Sequence, residues 1–321
     1  MRNTSWLRWA APVFLVVASA CTATTQSDEP SPSTSADGGT TSDGGVVTPG
    51  NPDGGGASDG SVAPGAAAKI PKPTGTCPTI TAGDVTFAPA GVPPRKVKLA
   101  FEGAAKGPLL LYWHATGSSP AEAAYSLGTS QAAFTGAGGV VATPYSDPAA
   151  GQFEWFLVNQ STKQDDFLVA DEIVACLAEA GRIDPNHVHA AGMSAGGLQT
   201  TALGYYRSAY VASVATFSGG LPTGFDPPPQ TAGNKVSALV FHGGTSDSVY
   251  GVDFTAASVR YAAAVRALGN FSAICDHGKG HSIPRDAAPS LLTFFAAHPF
   301  GTSPSPYAGG LPASFPAYCK L

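Results

Sequence analysis

Short runs of apolar and β-branched residues alternate along this chain with longer segments whose apolar positions recur every three or four residues. The short runs predict strands at Val97–Phe101, Leu109–His114, Gly139–Thr143, Val188–Gly192, Val211–Phe217, Ala238–His242 and Phe271–Cys275. Helical patterns lie between them. Ser119-Pro120 has the form of an N-cap followed by proline at the first helical position, and predicts one helix running to about Phe134. From Asp166 to Ala180 the apolar positions 167, 170, 173, 174 and 177 form one stripe, which Gly181 terminates. Leu198–Tyr205, Thr255–Leu268 (stopped by Gly269) and Asp286–His298 complete the set. Such alternation predicts an α/β domain with a mostly parallel sheet and helices on both faces.

The pattern is confined to residues 77–321, enough for one well-buried domain. From Thr22 to Thr76 the chain is mainly Ser, Thr, Gly, Pro, Asp and Ala, with Asp-Gly-Gly at 37–39, 43–45 and 53–55. A stretch with so little to bury cannot offset the entropy of ordering, so a disordered linker is expected over 22–76. Residues 1–21 have the form of an export signal: Arg2 and Arg8 lead into the apolar run Ala10–Ala20. Ala18-Ser19-Ala20-Cys21 resembles the bacterial lipobox, which implies lipidation at Cys21 and an exported, envelope-attached or extracellular protein.

Composition removes several classes of function. The formal charge is −5 and no Lys/Arg cluster exists, which argues against nucleic acid as a partner. Beyond the N-terminus no apolar run approaches the roughly 20 residues of a membrane-spanning helix. The five cysteines show neither CxxC spacing nor a Cys/His cluster, so no metal site or cofactor is implied. After Cys21, the even set Cys77, Cys176, Cys275 and Cys319 predicts two disulfides in an exported domain, with three possible pairings. Cys77 and Cys319 lie near the two ends of the domain, which makes an end-to-end clamp attractive.

Gly192-Met193-Ser194-Ala195-Gly196 matches the G-x-S-x-G nucleophile elbow, a weak signal by itself. The linker contains a second match, Gly56-Ala57-Ser58-Asp59-Gly60, with neither strand nor helix around it. Ser194 instead follows a predicted strand and precedes a predicted helix, the sharp turn that exposes a serine hydroxyl. A histidine must take the serine proton, and a carboxylate must fix that histidine's tautomer. In the chain order Ser, acid, His, Asp247 and His281 follow the predicted strands 238–242 and 271–275, at the carboxyl ends where open α/β sheets place their sites. Asp253 and Asp276 are rival acids, and His277 is a rival base. An oxyanion needs two backbone donors: Ala195 is one candidate, and Thr116, with Ala115 as alternative, is the other. His114 suits a structural role in that turn, and His187, His189 and His298 suit surface or packing roles. Tyr112, Trp113, Tyr145, Trp155 and Phe156 are candidates for a substrate pocket or for the core.

The ordered pieces Leu-Leu-Leu-Tyr-Trp-His-Ala-Thr-Gly (109–117), Asp-Pro-Asn-His-Val-His-Ala-Ala-Gly-Met-Ser-Ala-Gly-Gly (184–197), Phe-His-Gly-Gly-Thr-Ser-Asp (241–247) and Gly-Lys-Gly-His (278–281) resemble the α/β-hydrolase superfamily. They are most similar to secreted esterases of the polyhydroxybutyrate depolymerase and feruloyl esterase type, over about residues 95–298. Ala115 stands where such enzymes usually carry glycine, and Ala195 where asparagine is often found. The resemblance implies a triad of Ser194, Asp247 and His281 acting on polyester, feruloyl or acetyl polysaccharide, or small carboxylic esters. The alternatives are a peptidase or amidase with the same triad, and a binding lipoprotein that kept the fold without catalysis. Oligomeric state is left open.

Overall fold

The structure is a computed structural model that describes residues 67–231 and 233–321. The expected signal, Cys21, the second Gly-x-Ser-x-Gly match and most of the linker lie outside the described residues. In chain order the elements are β1 (Gly83–Phe87), β2 (Arg95–Ala100), β3 (Gly107–Trp113), α1 (Glu122–Leu127), α2 (Ser130–Gly136), β4 (Val140–Pro144), α3 (Asp165–Glu179), β5 (Ile183–Met193) and α4 (Ala195–Tyr206). They continue with β6 (Ser213–Phe217), β7 (Ser237–His242), β8 (Ser248–Val249), β9 (Val252–Asp253), α5 (Phe254–Ala267), β10 (Ser272–Asp276), α6 (Ala288–Ala297) and β11 (Cys319–Lys320). Nine strands form one sheet in the order β1-β2-β4-β3-β5-β6-β7-β10-β11, and β8 and β9 form a small hairpin. The six strands from β4 to β10 are mutually parallel; β1, β2 and β11 join antiparallel at the edges.

Alternation along the strands divides the core into two. On β3, Leu109, Leu111 and Trp113 pack with α3, α4 and α5, while Leu110 and Tyr112 pack with α1, α2 and α6. Both faces of the sheet are therefore covered, which is why the central strands are apolar at nearly every position instead of at every second one. From β3 the chain runs to β4 on one side, then returns past it to β5 on the other. This reversal makes the carboxyl ends of β3 and β5 a topological switch point, the crevice where open α/β sheets bind ligands.

Several expectations change. The helix expected from Ser119 to Phe134 is two helices, because Gly128 takes φ 51° and ends α1. Ser119-Pro120 lies one turn before the helix: the cap is Ala121, and the Glu122 amide donates to the Ser119 carbonyl at 2.9 Å. Strands β1 and β11 were not expected. The ordered contacts also begin before the expected limit at residue 77. The Lys69 amide donates to Ala209 O at 2.8 Å, and the Thr74 and Gly75 amides donate to the two carboxylate oxygens of buried Glu172 at 2.8 and 2.9 Å. Ile70 packs against the core and gives this segment an apolar anchor.

The disulfides pair Cys77 with Cys176 and Cys275 with Cys319. No end-to-end clamp forms. Cys319 lies directly across from Cys275 in the β10–β11 register, and Cys77 lies against α3, where Glu172 sits one turn before Cys176.

Candidate active site

Between β5 and α4 the chain turns through a single residue. Ser194 has φ 56° and ψ −120°, a sparsely populated conformation that costs an L-residue about 1–3 kcal/mol. Its amide donates to Phe217 O at 2.9 Å, and its carbonyl accepts from Leu198 N at 2.9 Å, so neighbouring backbone holds the strain in place. The flanking glycines are required by close approach. A Cβ on Gly196 would run into the Trp113 carbonyl oxygen, and one on Gly192 into the Gly196 carbonyl oxygen.

The structure brings Ser194, His281 and Asp247 into one hydrogen-bonded chain. Ser194 Oγ lies 2.8 Å from His281 Nε2, and His281 Nδ1 lies 2.7 Å from Asp247 Oδ1. The other Asp247 oxygen accepts from the Gly243 amide and the Ser218 hydroxyl, each at 2.8 Å. Burial alone would raise the Asp247 carboxyl, which is 1% exposed, but the bonds from His281, Gly243 and Ser218 outweigh it and hold the group below its ordinary value. An ionised Asp247 can only accept, so the proton sits on Nδ1 and the Nε2 lone pair faces the serine hydroxyl. The two loops are joined by backbone: Gly280 N donates to Gly243 O at 2.9 Å, and His277 N to His242 O at 3.0 Å. The Phe254 ring packs on the imidazole with centroids 4.6 Å apart.

The rival residues are engaged elsewhere. Asp253 caps α5 by accepting from Ala256 N at 2.8 Å, and Asp276 accepts from Gly278 N at 3.0 Å. His277 Nδ1 accepts from Lys279 N at 3.2 Å, and burial lowers its pKa.

Ala195 opens α4, so its amide has no acceptor within the helix. Across the pocket, the Ala115 amide donates to Glu122 Oε1 and Oε2 at 3.1 and 3.2 Å, and the Gly117 amide donates to Glu154 Oε1 at 3.0 Å. Ala115 is thereby removed as a donor to substrate. Thr116 lines the same pocket as Ser194 and Ala195. His114 orders this turn, with Nδ1 at 3.0 Å from Ala115 O, and its own carbonyl accepts from Trp155 Nε1 at 3.0 Å. Sequence reasoning missed both glutamates, since no local motif connects position 122 or 154 to the turn.

The pocket encloses about 610 Å³, with walls that include Phe153, Leu157, Phe225, Val249, Tyr250 and Phe254. Among the described residues, none that lines it is charged. Tyr112, Trp113, Trp155 and Phe156 are core residues instead, and the Tyr145 hydroxyl bonds Asp84. His189 and His298 are also buried, whereas His187 is partly exposed and bonds Asp184 at 2.9 Å. Among the described residues, one Cys/Glu group has metal-like proximity, Cys77, Glu172 and Cys176, but both sulfurs are in a disulfide.

No protein-family model matches the chain, and no curated protein sequence does. Among solved structures it is similar to native pOPH (TM-score 0.62, 15% identity, 76% of this chain and 96% of that one). It is likewise similar to native sOPH (TM-score 0.61, 17% identity, 78% and 97%). A thermostable esterase follows at TM-score 0.51 and 14% identity, over 67% of this chain and 62% of that one. Likeness at these identities defines the fold, and the fold is that of the α/β-hydrolases.

Proposed function

We propose that this chain is a serine hydrolase of carboxylic esters that works through an acyl-enzyme. Ser194 Oγ bonds to the ester carbonyl carbon as its proton passes to His281 Nε2, and the carbonyl oxygen becomes an oxyanion between the Ala195 and Thr116 amides. Collapse breaks the bond to the leaving oxygen, which takes the proton from His281. Water then attacks the acyl carbon and gives a proton to His281, and Ser194 departs with it as the acid is released. Asp247 holds the imidazole tautomer and stabilises its charged form.

The observation that carries this reading is the Ser194–His281–Asp247 chain of 2.8 and 2.7 Å bonds, whose serine lines a pocket. The uncharged, aromatic-walled pocket favours esters with a neutral apolar or aryl acyl group, from small esters to ends of a polyester or a feruloylated polysaccharide. Two disulfides suit an oxidising compartment, in keeping with export through the signal at 1–21 and a lipid anchor on Cys21.

The test uses the exported protein with p-nitrophenyl acetate, butyrate and octanoate. Turnover should be present and fall by at least about 10³-fold in Ser194→Ala, leaving only what pocket and oxyanion donors supply. Equal turnover in both proteins would remove Ser194 as nucleophile. Failure of a folded wild type on these, on feruloyl and on polyester substrates would favour a binding protein.

A further inference from the structure

The turn from His114 to Ser118 has its backbone groups taken up one by one. Trp155 Nε1 holds the His114 carbonyl at 3.0 Å, and the Ser118 amide and His114 Nδ1 hold the Ala115 carbonyl, each at 3.0 Å. The Ala115 amide is gripped by both oxygens of Glu122, and the Gly117 amide by Glu154. Among the described residues, the Thr116 amide between them has no hydrogen-bond partner, and Thr116 faces the same pocket as Ser194.

The two glutamates are held in different ways. Glu122 is the first residue of α1, and its Oε1 also accepts from the buried Tyr112 hydroxyl at 3.1 Å. Glu154 sits at φ 66°, a left-handed conformation that costs a non-glycine residue about 1–2 kcal/mol. Its second oxygen lies 3.2 Å from His114 Nδ1, on the same turn. Strain of this kind persists where surrounding structure over-determines it, most often at functional sites. The two carboxylates come from two separate downstream segments, α1 and the stretch after β4, and take alternate amides, 115 and 117. An acceptor on either side satisfies those N–H groups and leaves the middle one for a ligand.

We propose that Glu122 and Glu154 are positioning residues: they brace the 115–117 turn so that the Thr116 amide stays free and aligned to donate to the oxyanion formed on Ser194. This rests on the ester-hydrolase reading. A donor correctly placed for the oxyanion is worth about 10²–10³ in kcat, so a donor allowed to wander should cost about 10–100-fold. Neither glutamate lines the pocket, so ground-state binding should change little.

The experiment compares wild type with Glu122→Ala, Glu154→Ala, Glu122→Gln and Glu154→Gln, and with Glu102→Gln, a glutamate bonded to Thr135 away from the pocket, as control. Active serine is titrated with diethyl p-nitrophenyl phosphate, and turnover of p-nitrophenyl butyrate is expressed per titrated site. The alanine variants should lose about 10–100-fold in kcat with KM within about 3-fold. Inhibition by an alkyl trifluoromethyl ketone, whose adduct carries the oxyanion, should weaken by the same factor. The glutamine variants, which keep an acceptor oxygen, should recover most of the loss, and Glu102→Gln should match wild type.

Wild-type kcat per site in all four variants would overturn the proposal. So would unchanged ketone inhibition, or a loss seen only as fewer titratable sites and a lower melting temperature. Should the alanine variants fail to fold, the same measurements on the glutamine pair decide, with a loss of about 3-fold or more in both kcat and ketone affinity expected. A wild type without serine-dependent turnover would instead remove the reading beneath it, a result distinguishable because Ser194→Ala then equals wild type.

Discussion

On one side of the pocket Ser194 stands on an elbow shaped by backbone packed against backbone, with Gly192 and Gly196 leaving no room for a Cβ. On the other side, the 114–118 turn hangs from side chains, Glu122, Glu154 and Trp155, that arrive from α1 and from the segment after β4. Both sides line one pocket, through Ser194 and Ala195 on the first and Thr116 on the second. The first is framed by a strand and a helix; the second is held largely by side chains, two of them carboxylates. A site of this kind should break abruptly at the elbow and by degrees at the turn.

Gly196→Ala gives the largest expected effect. The added methyl meets the Trp113 and His114 carbonyl oxygens, which belong to β3 and the turn and cannot swing aside as a flexible side chain would. Turnover should be lost along with much of the folded yield, measured by activity per milligram and by thermal melting. A folded Gly196→Ala with wild-type turnover would show that backbone contact does not define the elbow.

Asp247→Asn should come next, and it sharpens the comparison because the change leaves the elbow untouched. An amide cannot accept from Gly243, Ser218 and His281 as both carboxylate oxygens do, and its NH₂ favours the tautomer with Nε2 protonated. A fall of about 10⁴ in kcat is expected, with KM within a few-fold. A loss under about 10-fold would mean that imidazole orientation is fixed by other contacts, such as the Phe254 ring.

The same contrast explains what could be read from the residues alone. Ser194, Asp247 and His281 were legible because each sits on a short glycine-marked turn at the end of a predicted strand, so local pattern and site coincide. The parallel strands and the α3 stripe were legible for the same reason. Gly128 was passed over because a single glycine in a helical pattern is compatible with continuing the helix, and its φ of 51° appears only in three dimensions. Strand β1 carried a usable signal, the alternation Asp84-Val85-Thr86-Phe87 with Val85 and Phe87 buried. Disulfide pairing had none, since it depends on β11 returning to the edge of β10. Glu122 and Glu154 were invisible for the most general reason: a side chain bracing a distant backbone amide leaves no periodicity or spacing behind.

The smallest expected effect concerns stability and separates the two sides by pH. Burial raises the Glu122 carboxyl above its ordinary value, although Ser118, the Ala115 amide, Tyr112 and His114 pull it the other way. A carboxyl whose folded pKa exceeds its unfolded one binds protons more readily when folded. Its contribution is therefore most favourable in acid, declines as pH rises through the interval between the two values, and stays at the lower level above it. Glu122→Gln removes that decline. The melting-temperature difference, variant minus wild type, should therefore be more positive at neutral pH than at pH 4, even as turnover at neutral pH falls. The charged form would then be kept at a cost to stability because an ionised carboxylate can grip the Ala115 amide with both oxygens while also accepting from Tyr112. A difference that is flat with pH, or more positive in acid, would mean that Glu122 is held as comfortably as the backbone of the elbow, and that the two sides of the pocket are built alike.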